Sequence, residues 1–297
     1  MNRVPFSPGD AGAVVAFCLA HGAGEHDAAL LRLLLVDLTS DAAGVVVLGD
    51  GEGVALVATV VDRVRNGADA ASLETLGVRV PPAAPSFIDL VVAPAVAFAR
   101  AGERRALQVV LPPPLASVPG IEGALGGAGF AHAFDTFDMR RPASAPPPAL
   151  PEPLPPGWSW APIDAGRADA AHAALAEIFR DALSTHLMPL DDFRQAVASG
   201  AAVWRALLDG ERIAGLVRAI PHGGRGEIRV LGRVPAYRGR GLGPRLLAEG
   251  LRLLRAAGAG DVTLAVEAAN DRALDLYRRF GFEIVTRTPV FARSLRA

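Results

Sequence analysis

"LGRVPAYRGRGLGPRLL", residues 231–247, leaves a strand-like run, turns at a proline and enters a helical run through a loop holding Gly239, Gly241 and Gly243. Glycine has no Cβ, so successive backbone N–H groups can turn inward and approach a ligand closely. Such amide nests bind anions, and the helix that follows adds the positive end of its dipole. Arg238, Arg240 and Arg245 supply charge and bidentate donors suited to phosphates. The loop reads as a pyrophosphate cradle; the plainer reading is a tight strand-to-helix connection with exposed arginines. A P-loop would end in GK[ST], which is missing. A dinucleotide fingerprint would space its glycines G-x-G-x-x-G in a parallel unit, whereas here G-x-G-x-G follows strands of antiparallel pattern.

Outward from the loop, the pattern alternates strands and helices. "WSWAPI" (158–163) predicts a strand, and residues 168–182 and 189–198 predict two helices. "AVWRALLD" (202–209) and "IAGLVRAI" (213–220) form a hairpin, and "EIRVLGRV" (227–234) is the strand that feeds the loop. Beyond it, "GPRLLAEGLRLLRAAG" sets Leu247, Leu251 and Leu254 at helical spacing, with Gly258 as its cap. "DVTLAV" (261–266) is a strand. "NDRALDLYRRF" (270–280) is a helix with Ala273, Leu276, Tyr277 and Phe280 on one stripe, ended by Gly281. "FEIVTRT" and "VFARSL" are expected as two closing strands. The fold class is therefore α/β, with a mixed sheet of α+β character and helices on its faces.

"VPAYRGRGLG" resembles the acyl-CoA-binding motif [RQ]-x-x-G-x-[GA] of the GNAT superfamily of N-acetyltransferases, with Arg238, Gly241 and Gly243 at the defining positions. "NDRALDLYRRFGF" resembles the second signature, N-x-x-A-x-x-L-Y-x-x-x-G-F, at Asn270, Ala273, Leu276, Tyr277, Gly281 and Phe282. The resemblance covers roughly residues 157–297. It implies that the strands on either side of the loop's helix splay apart and admit the pantetheine arm of acetyl-CoA. Leu231, Gly232 and Arg233 would offer backbone groups to that arm. Arg238, Gly239, Arg240, Gly241, Leu242 and Gly243 would cradle the pyrophosphate, and Asn270 would reach the CoA arm. Arg233 departs from the family's usual valine.

Acetyl transfer to an amine needs a base for the amine proton, donors for the developing oxyanion and an acid for the leaving thiolate. The resemblance makes Tyr277 the acid, and a phenol carries its proton at neutral pH; its alternative is a core tyrosine. Glu227 is the candidate base, and strand alternation sets it on one face with Arg229 and Leu231; its alternative is an ion pair with Arg229. His222 is a weaker candidate base. The resemblance implies that the oxyanion donor is a backbone N–H near Arg233 or Val234. His186, in "STHLMPLDDF", is a candidate for the acceptor pocket. Six scattered histidines lack metal-ligand spacing, so no metal is expected.

The first half repeats this order. "GVVVLGDGEGVALVATVVD" (44–62) resembles the later hairpin, "LETLGVRVP" resembles "IRVLGRVP", and "ALGGAGF" resembles the end of the second signature. Pro81 matches Pro235 and Gly129-Phe130 matches Gly281-Phe282, which points to an internal duplication. Ala84, Phe87 and Asp89 then stand for Arg238, Gly241 and Gly243, while Leu125 and Val118 stand for Tyr277 and Asn270. The first copy is thus expected to keep the fold and lose the cradle. The segment "RPASAPPPALPEPLPPG" (141–157), with 8 prolines, should run as an extended spacer. The expected organisation is two tandem GNAT-like domains: a degenerate one at 1–141, a proline-rich linker at 142–156 and an N-acetyltransferase domain at 157–297.

A net charge of −1 argues against a whole-protein nucleic-acid footprint. The lone Cys18 excludes an intramolecular disulfide. No signal-peptide core or run of about 18 uninterrupted apolar residues is present. A soluble cytoplasmic enzyme is expected, using acetyl-CoA and a small-molecule amine or peptide acceptor, with no nucleic acid or membrane partner. A non-catalytic acyl-CoA-binding module and a nucleotide-binding enzyme are the competing readings.

Overall fold

The computed structural model describes residues 1–22, 44–65, 68–146, 153–180, 182, 187–200 and 202–296. His186 and the middle of the proline-rich segment lie outside the described residues. The chain forms two compact units. The first comprises Met1–Asp135 and Arg287–Ala297, and the second comprises Thr136–Thr286.

In the first unit the strands are β1 (Asn2–Val4), β2 (Val45–Asp50), β3 (Gly53–Arg65), β4 (Ala68–Val78) and β5 (Ala106–Val110). Helix α1 (Ala11–Ala20) precedes β2, and α2 (Ala84–Ala101) joins β4 to β5. The short helices α3 (Pro113–Ala116) and α4 (Ile121–Gly127) follow. Strand β6 (Ala131–Arg141) starts in this unit and runs into the second. Strands β1 to β4 pair antiparallel, and β4 pairs parallel with β5. Helix α2 is the described helix long and apolar enough to cross a membrane. Its Val91, Val92, Ala95 and Ala99 are instead part of the unit's core.

The second unit continues with β7 (Trp158–Pro162), α5 (Ala168–Ile178), α6 (Leu190–Ala198), β8 (Val203–Asp209), β9 (Arg212–His222) and β10 (Arg225–Arg233). Helix α7 (Leu242–Ala256), β11 (Val262–Glu267), α8 (Asp271–Arg279) and β12 (Glu283–Ser294) complete the chain. Strands β7 to β10 pair antiparallel, β10 pairs parallel with β11, and β11 pairs antiparallel with Thr136–Arg141 of β6. The mixed sheet expected from the sequence is present in both units.

One expectation is corrected. The two closing strands are one: β12 runs unbroken through Pro289, and its segment Val290–Ser294 pairs with β5 of the first unit. Phe291 and Leu295 enter that unit's apolar cluster, while Met139 of β6 enters the second's. Each sheet thus takes its last strand from the other half of the sequence. The first copy carries no glycine cradle: Ala84, Phe87 and Asp89 lie in α2, which is helical from Ala84 and takes a π turn at Ile88–Val92. Phe87 is fully buried there and anchors the helix start.

Candidate functional site

The cradle occupies residues 235–243 of the second unit. Pro235–Tyr237 makes one 3-10 turn, capped by the N–H of Arg238 on the Pro235 carbonyl. Gly239 and Gly241 have φ of +79° and +67°, where a Cβ would be strained. No carbonyl or side chain among the described residues accepts from the amides of residues 239–243. The loop therefore presents free amides at the N-terminus of a 15-residue helix. Gly243 sits in the first turn, where an added Cβ would lie 3.1 Å from Leu276 of α8. Arg240 lies over the Tyr237 ring at 5.1 Å and 4.0 Å from Asp209. Arg238 is exposed, and Arg245 donates to the Pro153 carbonyl at 3.3 Å.

Beside the cradle the sheet opens. β10 and β11 are paired at Gly226↔Val262 and Glu227↔Thr263, and their pairing stops there. Leu231, Gly232 and Arg233 stay paired with Val217, Leu216 and Gly215 of β9, so their other edge faces a gap. The N–H of Val234 is taken by the Ala214 carbonyl at 2.9 Å. Val234 is thereby removed as the oxyanion donor. Alternation along an antiparallel ladder turns the N–H of Arg233 the other way, toward the gap.

Glu227 stands at the last rung before the opening. Its neighbours Gly226 and Ile228 face α7: a Cβ on Gly226 would meet Leu254 at 2.7 Å, and Ile228 lies 3.2 Å from the Cβ position of Gly250. Glu227 is therefore directed to the opposite face, which carries α5. The expected alternation with Arg229 and Leu231 does not hold. A bulge between Ile228 and Val230 inserts Arg229 as an extra residue and reverses the phase. Leu231 then pairs with Val217, which faces α7, while Gly232 faces Ile178 of α5. Arg229 bends back so that its Nη1 donates to both carboxylate oxygens of Glu227, at 2.9 and 3.1 Å. The ion pair set against the base role is thus present. His222 Nε2 lies 4.0 Å from Oε2 of the same carboxylate.

Tyr277 is buried on α8, tilted against Phe282 at 6.0 Å. Burial alone pushes its phenol up to about 12, so it holds its proton throughout the neutral range. Asn270 caps the same helix, its Oδ1 accepting from the Ala273 N–H at 3.2 Å. That bond uses the oxygen and leaves the amide NH2 outward on an exposed residue. The sequence could not show the bulge at Arg229 or the stacking of Arg218 over Trp204 at 5.1 Å on the α5 face. Neither has a local residue signal.

Comparison with known proteins agrees with this geometry. Residues 168–282 match the model of the acetyltransferase (GNAT) family. Mycothiol acetyltransferase of Clavibacter michiganensis subsp. michiganensis is 34% identical over 169 residues, 55% of each chain. That of Frankia alni is 35% identical over 176 residues, 54% of this chain and 53% of its own. The chain thus spans about half the length of these curated relatives. A solved tandem GNAT protein from the clavulanic acid biosynthesis pathway superposes with TM-score 0.71 at 16% identity, covering 100% of this chain and 99% of its own. A GCN5-related N-acetyltransferase from Sphaerobacter thermophilus gives 0.67 at 20% identity, covering 99% and 96%. The two structures share the fold over the full chain. Residues 168–282, within the second unit, are thus similar to the acetyltransferase (GNAT) family.

Proposed function

We propose that the protein transfers an acetyl group from acetyl-CoA to a primary amine, a small molecule or a peptide, by direct attack in the second unit. The observation that carries this reading is the joint presence of free amides at residues 239–243 and the parting of β10 from β11 beyond Glu227. The first suits a pyrophosphate; the second leaves an edge of strand amides and carbonyls suited to a pantetheine arm. Acetyl-CoA supplies the activated thioester. Leu231 and Arg233 hold its arm through backbone groups that face the gap, while those of Gly232 turn to Leu216 of β9; Arg238 to Gly243 hold its phosphates, with Asn270 offering its NH2.

In this reading Glu227 takes the amine proton, directly or through water, with Arg229 fixing the carboxylate. The Arg233 N–H faces the carbonyl oxygen as it gains charge. Tyr277 protonates the departing sulfur. A second reading, acyl-CoA binding without transfer, is favoured by the Glu227–Arg229 pair, which occupies the base candidate. CoA release measured over a panel of amines separates the two. Turnover in the wild type that falls sharply in Tyr277→Phe, with acetyl-CoA affinity kept, supports transfer. Binding with no release on any amine supports the second reading.

A further inference from the structure

A base that collects an amine proton must be discharged before the next turnover. The Glu227 carboxylate is 12% exposed, so little water reaches it. Three groups lie beside it: Arg229, its rung partner Thr263 and His222. Arg229 bonds both oxygens, but a guanidinium has donors only and can take no proton. Thr263, across the last rung, spends its hydroxyl proton toward the Gly226 carbonyl at 3.4 Å. His222 is different. Its Nε2 lies 4.0 Å from Oε2 of Glu227, its side chain is 32% exposed, and imidazole exchanges protons readily near neutrality. The rungs order these groups along the sheet: His222↔Arg225 at the turn, then Glu227↔Ile220, then the opening. His222 therefore stands between a buried carboxylate and solvent. Among the described residues, the charged groups on neighbouring strands at its side of the sheet include Glu227 and Arg229, Arg225 across its own rung, and Arg218 four residues back on β9.

We propose that His222 is the proton relay that returns Glu227 to its charged form, an inference that rests on the acetyltransfer reading. An N–H bond of the incoming ammonium breaks as an O–H bond forms on Glu227. That O–H breaks as an N–H forms on Nε2 of neutral His222, and the imidazolium gives a proton to water or buffer. No electrons change hands. The 4.0 Å gap exceeds a direct hydrogen bond, so the hop takes a side-chain rotation or one bridging water.

The test compares wild type, His222→Asn and His222→Ala across pH and buffer concentration, with acetyl-CoA affinity by calorimetry as the check on folding. In dilute buffer kcat should fall at least about tenfold in both variants, less than loss of a whole general base would cost. Raised imidazole buffer should restore His222→Ala and leave Glu227→Gln unrescued. The His222 ring resonances followed by NMR should shift when Glu227 becomes Gln. Unchanged, buffer-independent kcat in both His222 variants, with the wild type turning over, overturns the relay and leaves acetyl transfer standing. His222 ring resonances indifferent to Glu227→Gln also overturn it. Absence of CoA release from the wild type on every amine overturns acetyl transfer, and the relay with it.

Discussion

The two units share one scaffold and differ at a few positions where chemistry is at stake. In the first, β4 and β5 are paired through Ser72↔Gln108 and Leu73↔Val109; in the second, β10 and β11 are paired through Gly226↔Val262 and Glu227↔Thr263. These rungs are 154 residues apart throughout (72 to 226, 109 to 263), and pairing stops at the same place in both. The closing helix ends alike. Gly129 and Gly281 have φ of +82° and +79°, and the N–H groups of Phe130 and Phe282 return to the Leu125 and Tyr277 carbonyls at 2.9 and 3.0 Å. Against this background Leu73 replaces Glu227 and Leu125 replaces Tyr277, both leucines fully buried. The loop is replaced by helix from Ala84. Fully buried Phe87, Leu111, Leu115 and Leu125 belong to one apolar cluster, so the first unit has turned the corresponding region into core. The first unit keeps the rungs and the cap that the fold requires and carries leucines where the second has Glu227 and Tyr277.

The sharpest way to break the comparison is to attack the strand that the first unit takes from the far end of the chain. Phe291→Ala should destabilise the first unit by about 3–5 kcal/mol, the cost of emptying a core phenylalanine. Urea unfolding followed by hydrogen exchange should show the loss in residues 45–110 and spare β8 to β10. Equal loss in both units would mean that they do not unfold separately.

Next comes the proposed acid. Tyr277→Phe should lower kcat by about a hundredfold, at the low end for a general acid, while calorimetric acetyl-CoA affinity holds. The same phenol sets a pH limit on the fold. Its folded value, about 12, lies above the ordinary 10, so the unfolded chain gives up the proton first as pH rises. Stability should fall between pH 10 and 12 by roughly 2–3 kcal/mol, and Tyr277→Phe should abolish that fall. A Tyr277→Phe protein with the wild-type alkaline profile would contradict the burial.

A smaller effect is expected at the cradle. Gly241→Val places a β-branched residue at φ +67°, and should weaken acetyl-CoA binding at least about tenfold through strain and lost amide contacts. Asp89→Gly, at the position aligned with Gly243, should create no second acetyl-CoA site, since it lies within a helix. A stoichiometry of two in that variant would refute the account of the first unit. The smallest expected change is Asn270→Ala, which removes the cap of α8 and should cost about 1 kcal/mol in thermal unfolding.

Much of this was legible in the residues. Apolar periodicity placed α7 and α8, and the glycines of the cradle carried a backbone requirement that the φ values bear out. The pairing of halves could be read because Pro81, Pro235 and the two Gly-Phe pairs are local marks. Three features escaped. The bulge at Arg229 depends on the neighbouring strand, and it defeated the alternation that put Leu231 beside Glu227. The use of the Val234 amide by Ala214 is a tertiary hydrogen bond. Above all, Pro289 reads as a strand break, yet a proline lacks only its N–H. Its carbonyl still accepts from Leu111 at 3.0 Å, and β12 continues.

The exchanged strands set an order on synthesis. A ribosome makes the first half first, and a domain ordinarily folds as it emerges. Here the second unit has every strand in hand once Thr286 is clear, because β6 was made long before. The first unit waits for Arg287–Ala297, the last residues of this sequence. At about 5–20 residues per second, the 151 residues from Thr136 to Thr286 hold it open for roughly 8–30 s. The half begun first is finished last, and until then the edge of β5 that β12 will cover is available to any other strand that reaches it.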